Sequence, residues 1–273
     1  MRNKFLKAAP LGLALSMSSL ANAGVIEYTN TVLANNPFLF YQFEENQGAT
    51  VAVDSAGGDQ NGAYIGSVAL GGTESGSPIG LGNSVLLDGN SYIDVSSLGS
   101  FSQLTIEAWI NLDGLAAGCC TSIFSTDTWT TNVSGSSFHY NIKSGRDLEH
   151  AVNSVGNVNS VGGVLQNDTW YHIVSTYDSS IGVTQMYVDG NLIKSQTRSG
   201  TQLAILDSQI GAWGGSRGFT GHIDEFALYD TVLTSEQISA HYSAAKSVPE
   251  PSTLAIFALG LMGLASRRFK KQA

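Results

Sequence analysis

The sequence predicts an all-β fold, a sandwich or jelly roll, and three observations carry that expectation. Short apolar or alternating runs recur between clusters of Gly, Ser, Thr and Asn, which is how strands and their turns read. Helix-period patterns are almost absent from the same stretch. About 220 residues lie between two terminal segments of different composition, enough for one large β domain.

Taken in order, the chain begins with an export signal over residues 1–23. Arg2, Lys4 and Lys7 precede an apolar run that ends in small residues at Ala21-Asn22-Ala23. That three-part pattern suits translocation, with cleavage after Ala23. A helix is expected from about Val25 to Leu33. Strands follow at PFLFYQF (Pro37–Phe43), SVLLDG (Ser84–Gly89), YIDV (Tyr92–Val95) and LTIEAWI (Leu104–Ile110). Further strands read at TSIFS (Thr121–Ser125), SFHYNI (Ser137–Ile142), LEHAV (Leu148–Val152) and TWYHIVSTYD (Thr169–Asp178). VTQMYVDG (Val183–Gly190) and NLIKSQT (Asn191–Thr197) should form a hairpin, because Asp189-Gly190 readily takes the positive-φ turn between two strands.

GHIDEFALYD (Gly221–Asp230) alternates as one more strand. Strict parity puts His222, Asp224, Phe226 and Leu228 on one face and Ile223, Glu225, Ala227 and Tyr229 on the other. Adjacent Asp224 and Glu225 then point apart, which argues against a paired acid/base site. A helix follows. Thr234-Ser235-Glu236-Gln237 is a capping box with Leu233 and Ile238 as a hydrophobic staple, and Ile238, His241, Tyr242 and Ala245 share a face.

Residues 248–273 form a separate tail. Pro249-Glu250-Pro251 breaks the preceding helix, an apolar run from Leu254 to Ala265 is expected to be helical, and Arg267, Arg268, Lys270 and Lys271 follow. The run is shorter than the ~20 residues of a lone transmembrane helix, and the basic end suits retention on the cytoplasmic side. This arrangement resembles the PEP-CTERM sorting signal of Gram-negative bacteria. The resemblance implies arrest in the inner membrane, processing by an exosortase, and transfer to the cell surface or the medium, typically in bacteria that make extracellular polysaccharide and biofilm; a plain tail anchor is the alternative.

Seven of the 13 Lys and Arg residues lie in leader or tail, as does one of the 22 acids. Six cations against 21 carboxylates remain between them, a net charge of −15. A surface this acidic repels nucleic acid and anionic lipid, and no basic patch offsets it.

The order YQFEEN, AYIGSVALGG, SVLLDGNSYIDV, FSQLTIEAWINL, WYHIVSTYD, MYVDGNLI, IGAWGG, FTGHIDEFALYDTVLTSEQI, from about Pro37 to Tyr242, resembles the LamG-like, concanavalin A-like jelly-roll family. The resemblance implies a two-sheet antiparallel jelly-roll sandwich spanning residues 24–247, closed by the short C-terminal helix. It implies carbohydrate or protein binding, and often a structural Ca²⁺ held by a late-strand aspartate and an early loop. Asp224 and the loop DSAGGDQNGAY, with Asp54, Asp59 and Asn61, are the matching positions. Ca²⁺ takes six to eight oxygens, which acidic Gly-rich loops supply; the same residues also form ordinary turns.

Catalytic patterns are thin. Ser216 in GGSRG fits G-x-S-x-G, but a strand and not a helix follows it, so a turn is expected. The histidines at 139, 150, 172, 222 and 241 form no metal-spaced pair. Trp109 shares a strand face with Thr105 and Glu107, opposite Ile106, Ala108 and Ile110. It either stacks on a sugar or is covered by a neighbour, burial being the commoner fate of tryptophan. Trp129 and Trp213 lie near loops and are candidates for glycan contact. Cys119 and Cys120 are adjacent, and in an exported chain a disulfide between them is expected, or pairing between molecules.

The sequence therefore reads as an exported, non-catalytic surface or matrix protein that binds a glycan or matrix partner. A glycoside hydrolase or polysaccharide lyase on the same fold, and a purely structural matrix protein, are the alternatives.

Overall fold

In the computed structural model, described over residues 26–71, 82–132 and 135–246, two helices frame nineteen strands. Helix α1 (residues 26–33) comes first. The strands are β1 (Leu39–Tyr41), β2 (Val51–Ala52), β3 (Gly62–Ile65), β4 (Val85–Asp88), β5 (Tyr92–Val95), β6 (Gly99–Phe101) and β7 (Gln103–Gly114). Then come β8 (Cys120–Thr126), β9 (Thr131–Asn132), β10 (Gly135–Ser136), β11 (Phe138–Lys143), β12 (Leu148–Val152), β13 (Gly156–Asn159) and β14 (Trp170–Asp178). The last are β15 (Val183–Val188), β16 (Asn191–Thr197), β17 (Leu203–Ile205), β18 (Ser208–Ile210) and β19 (Thr220–Tyr229), followed by helix α2 (Ser235–Lys246). The leader, its cleavage site and the tail with Pro249, Glu250 and Pro251 lie outside the described residues.

The strands form two large antiparallel sheets. One runs β1-β19-β7-β14-β15-β16, with β4 also paired to β19; the other runs β13-β12-β11-β8-β18-β5-β3-β2. A small four-stranded sheet, β6-β17-β10-β9, contains a parallel strand pairing, Ser136 with Leu203. Period-2 alternation builds the core between the large sheets. Ile106, Ala108 and Ile110 of β7 pack there with Phe138, Tyr140 and Ile142 of β11.

The first sheet is covered on its other face as well. Tyr28 and Val32 of α1, with Ile238, Ala244 and Ala245 of α2, pack on Trp109, Val174, Tyr187, Ala227 and Tyr229. The capping box of α2 is formed reciprocally: Thr234 N donates to Gln237 Oε1 (2.8 Å) and Gln237 N to Thr234 Oγ1 (3.2 Å). Ile238, His241, Ala244 and Ala245 are its buried residues, while Tyr242 is half-buried. Both described helices pack on that side.

Parity in GHIDEFALYD does not hold through its length. The β7–β19 ladder jumps from Asp224↔Trp109 to Ala227↔Glu107, and Glu225 takes φ 49°. This β-bulge inserts an extra residue. Ile223, Phe226 and Leu228 consequently all face the inter-sheet core, while Ala227 and Tyr229 join the helix-covered side. The Asp189-Gly190 turn is as expected, with φ 51° and 75°.

Candidate functional site

The outer face of the second sheet carries a cleft of about 240 Å³. Alternation along β11 and β12 supplies its floor. Phe138, Tyr140 and Ile142 point into the core, so His139, Asn141 and Lys143 point out; Glu149 and Ala151 do the same on β12, and Asn157 on β13. Cross-strand register sets these side by side, His139 opposite Ala151 and Asn141 opposite Glu149. Loops raise the walls: Trp129 before β9, Trp213 and Arg217 after β18, and Cys119–Cys120 at the start of β8.

At one end of the cleft the rings form a layered group. The Trp129 and His139 centroids lie 4.5 Å apart, His139 and Trp213 5.2 Å, and the Arg217 guanidinium sits 4.1 Å over the Trp213 ring. Trp129 is 39% exposed. The Trp213 loop is a tight turn, with Trp213 N and Ser216 N each donating to the other's carbonyl (2.7 and 2.8 Å). That places Ser216 in a turn and not in a nucleophile elbow. Gly214 and Gly215 both have positive φ there, 54° and 69°, a conformation that suits glycine.

The polar floor is tightly wired. Glu149 Oε1 accepts from Asn141 Nδ2 (3.2 Å), and Oε2 accepts from Asn157 Nδ2 (2.7 Å) and pairs with Lys143 Nζ (3.3 Å). His139 Nε2 donates to the Thr126 carbonyl (3.1 Å), leaving Nδ1 as an acceptor. Burial pushes His139 down to about 4, with Arg217 adding to the effect against the Thr126 hydrogen bond, so the ring is neutral near pH 7. The cleft thus offers aromatic faces, fixed amides and a compensated ion pair, a combination that suits an uncharged polyhydroxyl ligand with an apolar ring face.

The structure brings Trp129, Trp213, Cys119 and Cys120 together, and the two cysteines are joined as a disulfide. Trp109 is excluded from ligand contact. It is fully buried on the opposite sheet, stacked 5.8 Å from Tyr242 of α2. The floor residues escape sequence reading because only strand pairing makes them neighbours. The sole signal was the alternation of SFHYNIK and LEHAV.

The four expected Ca²⁺ ligands are not gathered into one centre. Among the described residues no group of three or more His, Cys, Asp or Glu side chains is placed to hold a metal ion. Asp54 Oδ1 accepts from Phe40 N and Ala56 N (3.0 and 2.9 Å), Asn61 Oδ1 accepts from Asp54 N (2.8 Å), Asp59 is exposed, and Asp224 Oδ1 accepts from Glu225 N (2.9 Å). Asp54 Oδ2, however, is buried without a hydrogen-bond partner. Both carboxylate oxygens of Glu225 are buried as well, with the Gln42 side chain as a polar neighbour. Burial, then the Glu44 carboxylate, pushes Glu225 well above the usual range.

A second polar cluster lies under the helices. Glu107 accepts from Tyr229 Oη (2.8 Å) and His241 Nδ1 (2.9 Å), with His172 Nε2 3.3 Å away, and all four side chains are buried. Burial raises the Glu107 carboxyl, but the two histidines outweigh it and hold the group below the usual carboxylate range. Having no access to solvent, this cluster clamps α2 to the sheet.

The family model described as the concanavalin A-like lectin/glucanases superfamily matches residues 87–239, and the model of the PEP-CTERM protein-sorting motif matches residues 247–271. The motif indicates an exported protein sorted through the membrane. No curated protein matches the sequence significantly. Among solved structures, domain 4 of AbnA, a GH43 extracellular arabinanase from Geobacillus stearothermophilus in complex with arabinotriose, is similar at 18% identity and TM-score 0.58, over 76% of this chain and 98% of that one. A structure of botulinum neurotoxin type C, described as depending for cell entry on two ganglioside molecules, is similar at 14% identity and TM-score 0.55, over 79% of this chain and 53% of that one. Trypanosoma rangeli sialidase in complex with the inhibitor DANA is similar at 12% identity and TM-score 0.55, over 89% and 40%. At these identities the likeness is one of fold.

Proposed function

The chain belongs to the concanavalin A-like lectin/glucanases superfamily, and from that premise we propose that it is an exported, non-catalytic glycan-binding protein of the cell surface or extracellular matrix. The observation that carries this reading is the cleft on the second sheet, where Trp129 and Trp213 converge with Asn141, Asn157 and the Lys143–Glu149 pair. Indole rings stack on the C–H face of a sugar, and fixed amides exchange hydrogen bonds with its hydroxyls. The similar arabinanase domain was solved with arabinotriose, which is consistent with this use of the fold.

Glu149 is the one carboxylate among the residues lining the cleft, and its oxygens are engaged by Asn141, Lys143 and Asn157. General acid/base hydrolysis takes two carboxylates about 5 to 10 Å apart, so binding is the better reading. Processing by an exosortase at the tail in a Gram-negative host is part of the same proposal, supported by the motif at 247–271. A structural Ca²⁺ is its companion: the Glu225 carboxylate and Asp54 Oδ2 would hold it, and it would supply charge compensation with no chemical step.

Glycan-array binding of the wild type beside Trp129→Ala and Trp213→Ala tests the reading. Binding to at least one glycan class that both substitutions weaken is expected. Binding that neither substitution alters, or no binding at all, contradicts it.

A further inference from the structure

We propose that the Cys119–Cys120 disulfide is itself a sugar-contact surface, a second subsite that makes the cleft a reader of oligosaccharide segments. The inference rests on the glycan reading above and adds the form of the ligand. Both cysteines line the cleft, Cys119 exposed and Cys120 nearly buried. Cys120 lies opposite Lys143 on β11, whereas the ring group stands at His139, four residues along the same strand. At about 3.3 Å per residue those ends are ~13 Å apart. One sugar ring cannot touch both. Asn141 and Glu149 lie between them and supply polar partners along the way.

The sulfur end suits a ring for the same reason as the tryptophan end. A disulfide carries no charge, binds water weakly and is polarisable, so it makes good dispersion contact with C–H groups. It is also held in place. Ser144 N donates to the Cys119 carbonyl (3.3 Å), and Ser122 N, two residues beyond Cys120, donates to the carbonyl of Arg217 (2.9 Å). That second bond ties the sulfur wall to the loop that presents Trp213, so the two subsites are fixed relative to one another. The oxidising conditions met by an exported protein keep the bond closed.

Titration calorimetry of the full chain with the mono-, di- and trisaccharides of arabinose, xylose and glucose tests this, with wild type beside Cys119→Ser/Cys120→Ser. In the wild type the trisaccharide of a bound series should bind about tenfold more tightly than its monosaccharide, and in the double variant that gain should shrink to about twofold with monosaccharide affinity unchanged. A gain that survives the substitution overturns the inference. Should the variant fold poorly, reducing the native chain with a phosphine is the second arm. Selective loss of the length gain supports the subsite; loss of monosaccharide binding as well makes the disulfide a structural brace and overturns it. A wild type that binds a different glycan on the array is tested with that glycan's own mono- to trisaccharides, and if the array shows no bound glycan the glycan reading falls, and this inference with it.

Discussion

At the scale of single residues, the two tryptophan loops and the buried Glu107 make opposite demands on their side chains. Trp213 is held by its turn and by Arg217 so that its ring borders the cleft. Trp213→Ala should raise the Kd for a bound glycan about ten- to thirtyfold, the size expected of an aromatic anchor worth ~1.4–2 kcal/mol, with the melting temperature nearly unchanged. His139 adds a pH test. Its folded-state value, about 4, lies below the ordinary ~6.5. The ring therefore stays neutral from pH 8 to pH 5, and affinity should be flat over that range and fall only as pH approaches 4. Calorimetry across the range checks it, and a step near pH 6.5 would contradict it. Glu107 has no such surface role. Glu107→Ala strands two buried histidines and should cost about 3 to 5 kcal/mol in urea unfolding. A loss below ~1 kcal/mol, the usual value of an exposed pair, would show that the cluster does not clamp α2.

At the scale of elements, α2 is a cap, an apolar face and one buried ion pair. Thr234→Ala removes the N-cap and should cost about 1 kcal/mol. The ion pair has a pH signature. Burial opposes the His241 proton, but Glu107 outweighs it and raises the folded pKa. The stabilisation is therefore complete below the ordinary histidine value of ~6.5 and is lost as pH rises through the raised one. His241→Gln should accordingly cost more stability at pH 6 than at pH 9; equal costs would contradict the assignment. This element was legible in sequence because its signals are local: a capping box, a staple and spacing of 3.6. The strand GHIDEFALYD was legible only as a strand. Its bulge rests on Asp224 accepting the N–H of Glu225 and on the register against β7, and pattern counting sees neither. The bulge also puts the Glu225 carboxylate in a buried position that strict parity does not foretell. Trp109 is buried, as is commoner for tryptophan, but its cover is Tyr242 of α2, far along the chain, which its own strand pattern does not show.

At the scale of the whole molecule, the sandwich divides its surfaces by function. The central strands of one large sheet, β7, β14 and β19, are buried between the core and the helices and serve as a rigid plate. The other leaves one face outward and carries on it the aromatic and amide cleft, with loops from β8, β9 and β18 as walls. The fold class followed from strand spacing and the block order, since both are carried by the chain itself. The cleft did not, because His139, Asn141, Glu149 and Asn157 become neighbours only through pairing. Ca²⁺ belongs at this scale too. Added to the metal-stripped protein, it should raise the melting temperature by several degrees, as expected for a ligand that binds the folded state alone. Glu225→Gln should abolish the rise, and no shift in wild type would rule the ion out.

The central claim, that the cleft binds glycan through Trp129 and Trp213, is tested most directly by the four tryptophan indole N–H resonances under glycan titration. The indoles of Trp129 and Trp213 should shift in a saturable way, while those of Trp109 and Trp170 stay in place. Shifts confined to Trp170, or saturable binding that moves neither Trp129 nor Trp213, would contradict the account.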